Sequence, residues 1–270
     1  MAAATAPVGL SALRGPALQA LVEGEAKREA RMRRLGRLAN LSPDSLVVHL
    51  GPELHHAVLW AKAFGCRTIA LDAGPALDAV AREAEALGVA QLVELRAADP
   101  LSRAIEEISP AADLIFAQGL AAAVGFDEAL AALRPSLVTD GLVALFQRAW
   151  VTAAVPAEVS GYWERHAVGA VRTIRDTLGR FTAGGYEPMT CELIPAQSWD
   201  EDYERAEAQL AALASGAGPE TPEGRALAEL REEMRVHQQG GKLSTSVGCF
   251  VGRRVEPNSP PRWPRRGFGE

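Results

Sequence analysis

The sequence predicts an α/β fold with a mostly parallel sheet and helices on both faces. Three observations carry this. The stretch Leu46 to Ala73 reads strand, turn, helix, strand, acid. Short apolar runs then alternate with helical spacing as far as Trp150. Glycine, proline and aspartate mark the boundaries between them, as at Gly88, Arg134-Pro135 and Asp140-Gly141. Alternation of this kind implies right-handed crossovers between parallel strands.

The chain opens with an expected helical arm, residues 1–40. Leu10, Leu13, Leu18, Leu21 and Val22 are loosely spaced for a helix face. From Glu25 to Arg37 the chain is dense in charge, with Lys27, Arg28, Arg31, Arg33, Arg34 and Arg37 against Glu25 and Glu29. Charge at this spacing reads first as a solvated helix face with pairs such as Glu29 to Arg33. The sharper reading is a basic patch for an anionic substrate or partner.

The core, residues 41–150, begins at the turn Ser42-Pro43-Asp44. Leu46 to Leu50 is the first strand and His55 to Phe64 the first core helix, closed by Gly65. Thr68 to Leu71 is the second strand, ending on Asp72. Leu77, Val80, Ala81, Ala84 and Leu87 have helical spacing up to Gly88. Leu92 to Leu95 is a third strand, followed by Asp99-Pro100 and a helix from Leu101 to Ile108. Asp113 to Gln118 is a buried fourth strand, Phe126 to Leu133 a helix, and Leu142 to Phe146 a fifth strand. In such sheets ligands bind at the carboxyl ends of the strands, near the switch point. Those ends are His49 to Gly51, Asp72, Asp99 and Gln118.

Composition narrows the function classes. With 48% hydrophobic and 23% charged residues, the 270-residue chain reads as a soluble globular protein. A formal net charge of -6 argues against bulk attraction to nucleic acid. Cys66, Cys191 and Cys249 form no metal-ligand spacing, and an odd number argues against a disulfide framework. A reducing cytoplasm is the expected location. No apolar run is long enough to span a membrane, and Met1 to Ala6 lacks the basic start of a signal peptide.

The strand-tip pattern resembles that of class I S-adenosylmethionine-dependent methyltransferases of the small-molecule type, over about Leu41 to Arg254. That family's acid-x-Gly-x-Gly-x-Gly loop falls on His49-Leu50-Gly51-Pro52-Glu53-Leu54-His55. Here the acid is a histidine, and the second and third glycines are Glu53 and His55. Its ribose-binding acid matches Asp72, its acid beside the adenine Asp99, and its fourth strand Asp113 to Gln118. The resemblance implies a Rossmann-like seven-stranded sheet with the last strand antiparallel. It implies S-adenosylmethionine as cofactor, held by His49, Gly51, Asp72, Asp99 and Gln118, with His49 a hydrogen-bonded substitute for the acid.

The second part of the chain is similar to the same family. Tyr162 to Phe181 reads as one long helix. Gly184-Gly185-Tyr186-Glu187 leads into a sixth strand, Met189 to Ile194. A helical insertion, about 197–240, contains Trp199 and Tyr203 at i and i+4, a linker from Ser215 to Gly224, and a helix from Arg225 to Val236. Ser246 to Arg254 resembles the family's final strand. In such enzymes the insertion shapes the substrate pocket, so Trp199 and Tyr203 are pocket candidates, with helix packing as the other reading. The tail, 256–270, is expected to be disordered.

Methyl transfer needs position, alignment and a dry pocket, plus a base for a hydroxyl or amine acceptor. His55 and His56 are the candidate bases. Adjacent histidines do not converge easily on one ion, so no metal is expected. Glu53 and His55 put side chains where the family keeps open space. Two functions therefore stand: methyl transfer to a small molecule, or a catalytically inactive, methyltransferase-like protein acting as a partner subunit. A homodimer or a partner protein fits either. A dehydrogenase ranks last, because Gly-x-Gly-x-x-Gly is missing.

Overall fold

A computed structural model describes residues 25–51, 54–72, 77–97, 108, 111–167, 169–215 and 218–256. The expected helix from Leu101, the positions of Asp99 and Glu53, the arm before residue 25 and the tail after residue 256 lie outside the described residues.

The sheet grows from β1 (Leu46–Leu50), which is buried along its whole length and pairs in parallel with β2 (Arg67–Asp72) and β4 (Ala112–Ala117). A strand covered on both faces needs a continuous apolar run, and β1 has one, broken only by His49. Val47 and His49 face one side of the sheet; Leu46, Val48 and Leu50 face the other. The helix α1 (Glu25–Leu38) precedes β1, and α2 (His55–Phe64) follows it. Gly65, at φ 68°, closes α2 by giving its N–H to Ala61. Then come α3 (Leu77–Ala86), β3 (Val93–Ala97), α4 (Leu120–Val124), α5 (Phe126–Leu133) and β5 (Leu137–Trp150). The remainder is α6 (Ala157–His166), β6 (Arg172–Thr173), α7 (Ile174–Ala183), β7 (Tyr186–Leu193), α8 (Ala196–Leu213), α9 (Pro222–Val236), α10 (Lys242–Ser244) and β8 (Thr245–Arg254).

The strand order is β3-β2-β1-β4-β5-β8-β7, with β6 attached to β5. β8 runs antiparallel to both β5 and β7, and the pairings among the first five strands are parallel. The predicted fold class is therefore the observed one, with eight strands in place of seven. The eighth, β6, pairs with Ala149 and Trp150 at the end of β5. β8 holds the other edge of those residues. β6 therefore lies past β4, whose last partner on β5 is Leu145.

The single helix expected from Tyr162 to Phe181 is two helices. The chain turns extended at Ala167, passes Gly169 at φ 77°, forms β6, and restarts as α7. Thr173 caps α7 by accepting the Asp176 N–H at 3.1 Å. Asp113 is structural. Its carboxylate accepts the Leu46 N–H at 2.8 Å and ties β4 to the start of β1.

The two largest clusters of buried side chains among the described residues flank the sheet. One lies under α4, α5 and α7, with Phe126, Phe181 and Phe250 at its centre. The other lies under α1, α8 and α9, with Trp60, Phe116, Phe146, Trp199 and Tyr203. α1 is more than a solvated face. Glu29 and Arg33 form the expected pair, at 2.6 Å. Arg31, however, is buried and lies 3.6 Å from Glu192 of β7. The Trp60 indole donates to the Met32 carbonyl at 3.0 Å, which seats α1 on α2. All three cysteines are free. Among the described residues no helix is long and apolar enough to cross a membrane.

Candidate active site

The carboxyl ends of β1, β2 and β4 are laced together by backbone hydrogen bonds. Gly51 N–H donates to Leu71 O at 3.1 Å, and Gln118 N–H donates to Leu50 O at 2.9 Å. Gly51 adopts φ 96°, and a β-carbon there would sit 2.2 Å from the Gln118 carbonyl oxygen. Both facts require glycine. Gly51→Ala is expected to cost at least ~1–3 kcal/mol, from the strained backbone alone, read as a lowered midpoint in urea. An unchanged midpoint would show that the turn is not so confined.

Asp72 is the last residue of β2, half-buried, level with Ala97 at the end of β3. Gln118 is buried just past β4, before Gly119 at φ 78°. Gly51, Asp72 and Gln118 thus meet at three adjacent strand ends.

His49 does not join them as expected. Its ring is fully buried and stacks on Phe116 at 5.1 Å, with His56 at 5.5 Å and Trp60 at 6.2 Å. Neither ring nitrogen has a hydrogen-bond partner among the described residues. It is not a hydrogen-bonded substitute for an acid, because strand alternation turns it into the aromatic core with Val47. Burial, and then the neighbouring His55, lower its pKa to about 3. It is neutral at pH 7.

The two base candidates separate. His56 is buried and packs on Phe116 at 5.5 Å and Trp60 at 6.3 Å, so it faces the core. His55, in the first turn of α2, is half-buried, with its ring 4.3 Å from that of His56. Among the described residues no group of three His, Cys, Asp or Glu side chains could hold a metal ion.

Trp199 and Tyr203 lie in the core beneath α8, each 2% exposed. Trp199 Nε1 donates to Ser246 Oγ at 3.4 Å, and the Tyr203 hydroxyl donates to Glu233 Oε1 at 2.7 Å. Both side chains are packed into the core. They also lead to a cluster that the sequence pattern does not reveal. Arg148, near the end of β5, stacks its guanidinium 3.6 Å above the Trp163 ring and lies 5.2 Å from that of Trp199. Its Nη2 is 3.5 Å from Glu233 Oε1. Tyr162 lies against Trp163, and His237 lies 5.0 Å from Tyr203. Burial, then the Glu233 carboxylate, hold the Tyr203 hydroxyl well above its ordinary pKa, so it stays a donor. His237 faces Asp200 at 3.3 Å, and Lys242 pairs with the same carboxylate. Three elements, α6, α8 and α9, are thereby tied to the end of β5. The one signal in the sequence is an arginine inside an apolar strand, in Phe146-Gln147-Arg148-Ala149-Trp150.

No protein-family model matches the sequence, and no curated protein is significantly similar to it. Solved structures do match in shape. A S-adenosylmethionine-dependent methyltransferase from Thiobacillus denitrificans, in complex with S-adenosylhomocysteine, is 21% identical, with a TM-score of 0.67 over 83% of this chain and 90% of that one. One from Geobacter sulfurreducens, also with S-adenosylhomocysteine, is 19% identical, with a TM-score of 0.68 over 89% and 98%. Geranyl diphosphate C-methyltransferase from Streptomyces coelicolor A3(2) is 15% identical, with a TM-score of 0.54 over 84% and 79%. The fold of this chain is that of the class I S-adenosylmethionine-dependent methyltransferases. At these identities the likeness is one of fold.

Proposed function

We propose that the chain binds S-adenosylmethionine across the ends of β1, β2 and β4 and transfers its methyl group to a small molecule. The observation that carries this is the meeting of Gly51, Asp72 and Gln118 at the switch point of a sheet with this strand order. The residues present fit the ribose end of the cofactor: Asp72 stands half-buried at the tip of β2, where a carboxylate can accept from two hydroxyls. At the methionine end no charge comes from His49. The Gly51 and Gln118 N–H groups are already given to Leu71 and Leu50, so they shape the turn on which the ligand would lie rather than bind it.

Bound at these strand ends, S-adenosylmethionine would supply an electrophilic methyl group on sulfur. The chain itself then has to hold, orient and dry. Gly51 lets the backbone pass without a β-carbon. The aromatic cover that includes Trp163 and Trp199 shields Arg148, near the end of β5, from most of the water. His55 is the candidate to take a proton from an acceptor hydroxyl or amine.

Calorimetric titration with S-adenosylhomocysteine tests the reading. Binding is expected, and Asp72→Ala is expected to weaken it at least ~10-fold, the effect of hydrogen bonds to a charged group. A folded chain that binds neither S-adenosylmethionine nor S-adenosylhomocysteine would overturn it. That outcome would favour the inactive, partner-subunit alternative.

A further inference from the structure

The cluster at the end of β5 has the chemistry of a docking site. Arg148 and Glu233 keep only 7% and 10% of their side-chain surface exposed. Buried guanidinium groups normally spend their five N–H donors on hydrogen bonds. Among the described residues Arg148 makes none; it has the ion pair to Glu233 at 3.5 Å and its two tryptophan neighbours. Yet none of its nitrogens is both sealed from solvent and unpaired. The edge of the guanidinium therefore keeps a small accessible surface while its face is clamped on Trp163. A stacked arginine with a free edge is preorganised for the two-pronged binding of a carboxylate.

Glu233 decides what kind of carboxylate. Its Oε1 is taken by the Tyr203 hydroxyl, and its Oε2 makes no hydrogen bond among the described residues and is not sealed off. The pair is neutral in sum. A simple anion arriving at Arg148 would meet the Glu233 charge beside it, whereas a ligand bearing both an ammonium and a carboxylate would satisfy both residues. The aromatic rings around the pair leave it little contact with water, which strengthens each contact. The cluster lies on the same face of the sheet as Phe116 and Phe146, past their strand positions and beyond the end of β4. That places it beside the proposed cofactor cleft.

We propose that Arg148 and Glu233 are the docking pair for a zwitterionic, amino-acid-like acceptor, the guanidinium taking its carboxylate and Glu233 its ammonium group. This rests on the methyl-transfer reading for the ligand's role as acceptor, but the binding itself does not.

The full chain would be titrated calorimetrically with each of the twenty standard amino acids and with N-methylglycine, with and without S-adenosylhomocysteine. At least one should bind. Its amide, which lacks the carboxylate, and its deaminated acid, which lacks the ammonium, should each bind at least tenfold more weakly. Arg148→Lys keeps the charge but loses the fork, and it should weaken the same amino acid at least tenfold; Glu233→Gln should do so as well. Near-ultraviolet circular dichroism would confirm that both variants keep the packed cover. The analogue comparison uses the unaltered chain, so it stands even if a variant unfolds. Binding of none of these compounds, or equal binding of the amide or the deaminated acid, would overturn the docking pair. S-Adenosylhomocysteine affinity is read separately, so failure of the cofactor reading leaves a different mark from failure of this one.

Discussion

Lowering the pH from 7 to 4 is expected to destabilise the chain by on the order of 3 kcal/mol through His49 alone. The folded chain holds this imidazole neutral, with a pKa of about 3 against 6.5 when it is free. The unfolded chain therefore takes up the proton first. Stability is level above about pH 6.5 and falls as the pH drops from there towards about 3. Each pH unit in that window costs about 1.4 kcal/mol. His49→Leu removes the proton-binding group, so the variant should lose less stability on acidification. It should also be more stable at pH 7 by roughly 1–3 kcal/mol, because two buried ring nitrogens without partners disappear. Urea unfolding of both chains at pH 7 and 4.5 reads both effects. His237, which burial also holds below its ordinary value, is present in both chains and cancels in the comparison. Parallel pH profiles would sink the assignment of acid sensitivity to His49.

Arg148→Met should cost ~3–5 kcal/mol, the usual penalty for leaving one member of a buried ion pair uncompensated. Glu233 would keep its Tyr203 partner but lose the cation 3.5 Å away. The double variant Arg148→Met, Glu233→Leu should recover most of that loss, since a well-packed apolar pair often matches a buried ion pair in stability. Chemical denaturation of the two single variants and the double gives the coupling directly. Simple additivity of the two single losses would show that the residues do not act as a pair. Recovered stability with amino-acid binding still absent would separate the pair's contribution to folding from its contribution to recognition.

The fold is legible in the sequence because its signals are local. Apolar runs such as Leu46-Val47-Val48 and breaks such as Gly65 and Gly88 depend on nothing distant. Gly51 and Asp72 can be placed at strand ends for the same reason. His49 is harder, because a sequence shows its place on the strand but not what surrounds it. Its surroundings come from Trp60 and Phe116, on two other elements. The Arg148 cluster escapes for a related cause. The apolar pattern ends β5 at Phe146, and the strand runs four residues further, to Trp150. That extension is paired by β8 on one edge and β6 on the other. Neither pairing can be seen in the local pattern of β5. Glu233 looks like one more acid in a charged helix; only the packing of α9 on α8 brings it to Tyr203.

The place of β8 carries a consequence for how the protein is made. It is the last of the described strands in chain order, yet it lies between β5 and β7 rather than at an edge. While the ribosome is still translating the region before Thr245, β7 has no neighbour, and β5 shows an unpaired edge along Leu142–Trp150. Open edges of this kind invite pairing with other chains. The nascent chain must therefore stay guarded until β8 emerges and closes the gap. Synthesis halted shortly before Thr245 should leave an aggregation-prone product, though β1 to β7 have already been made.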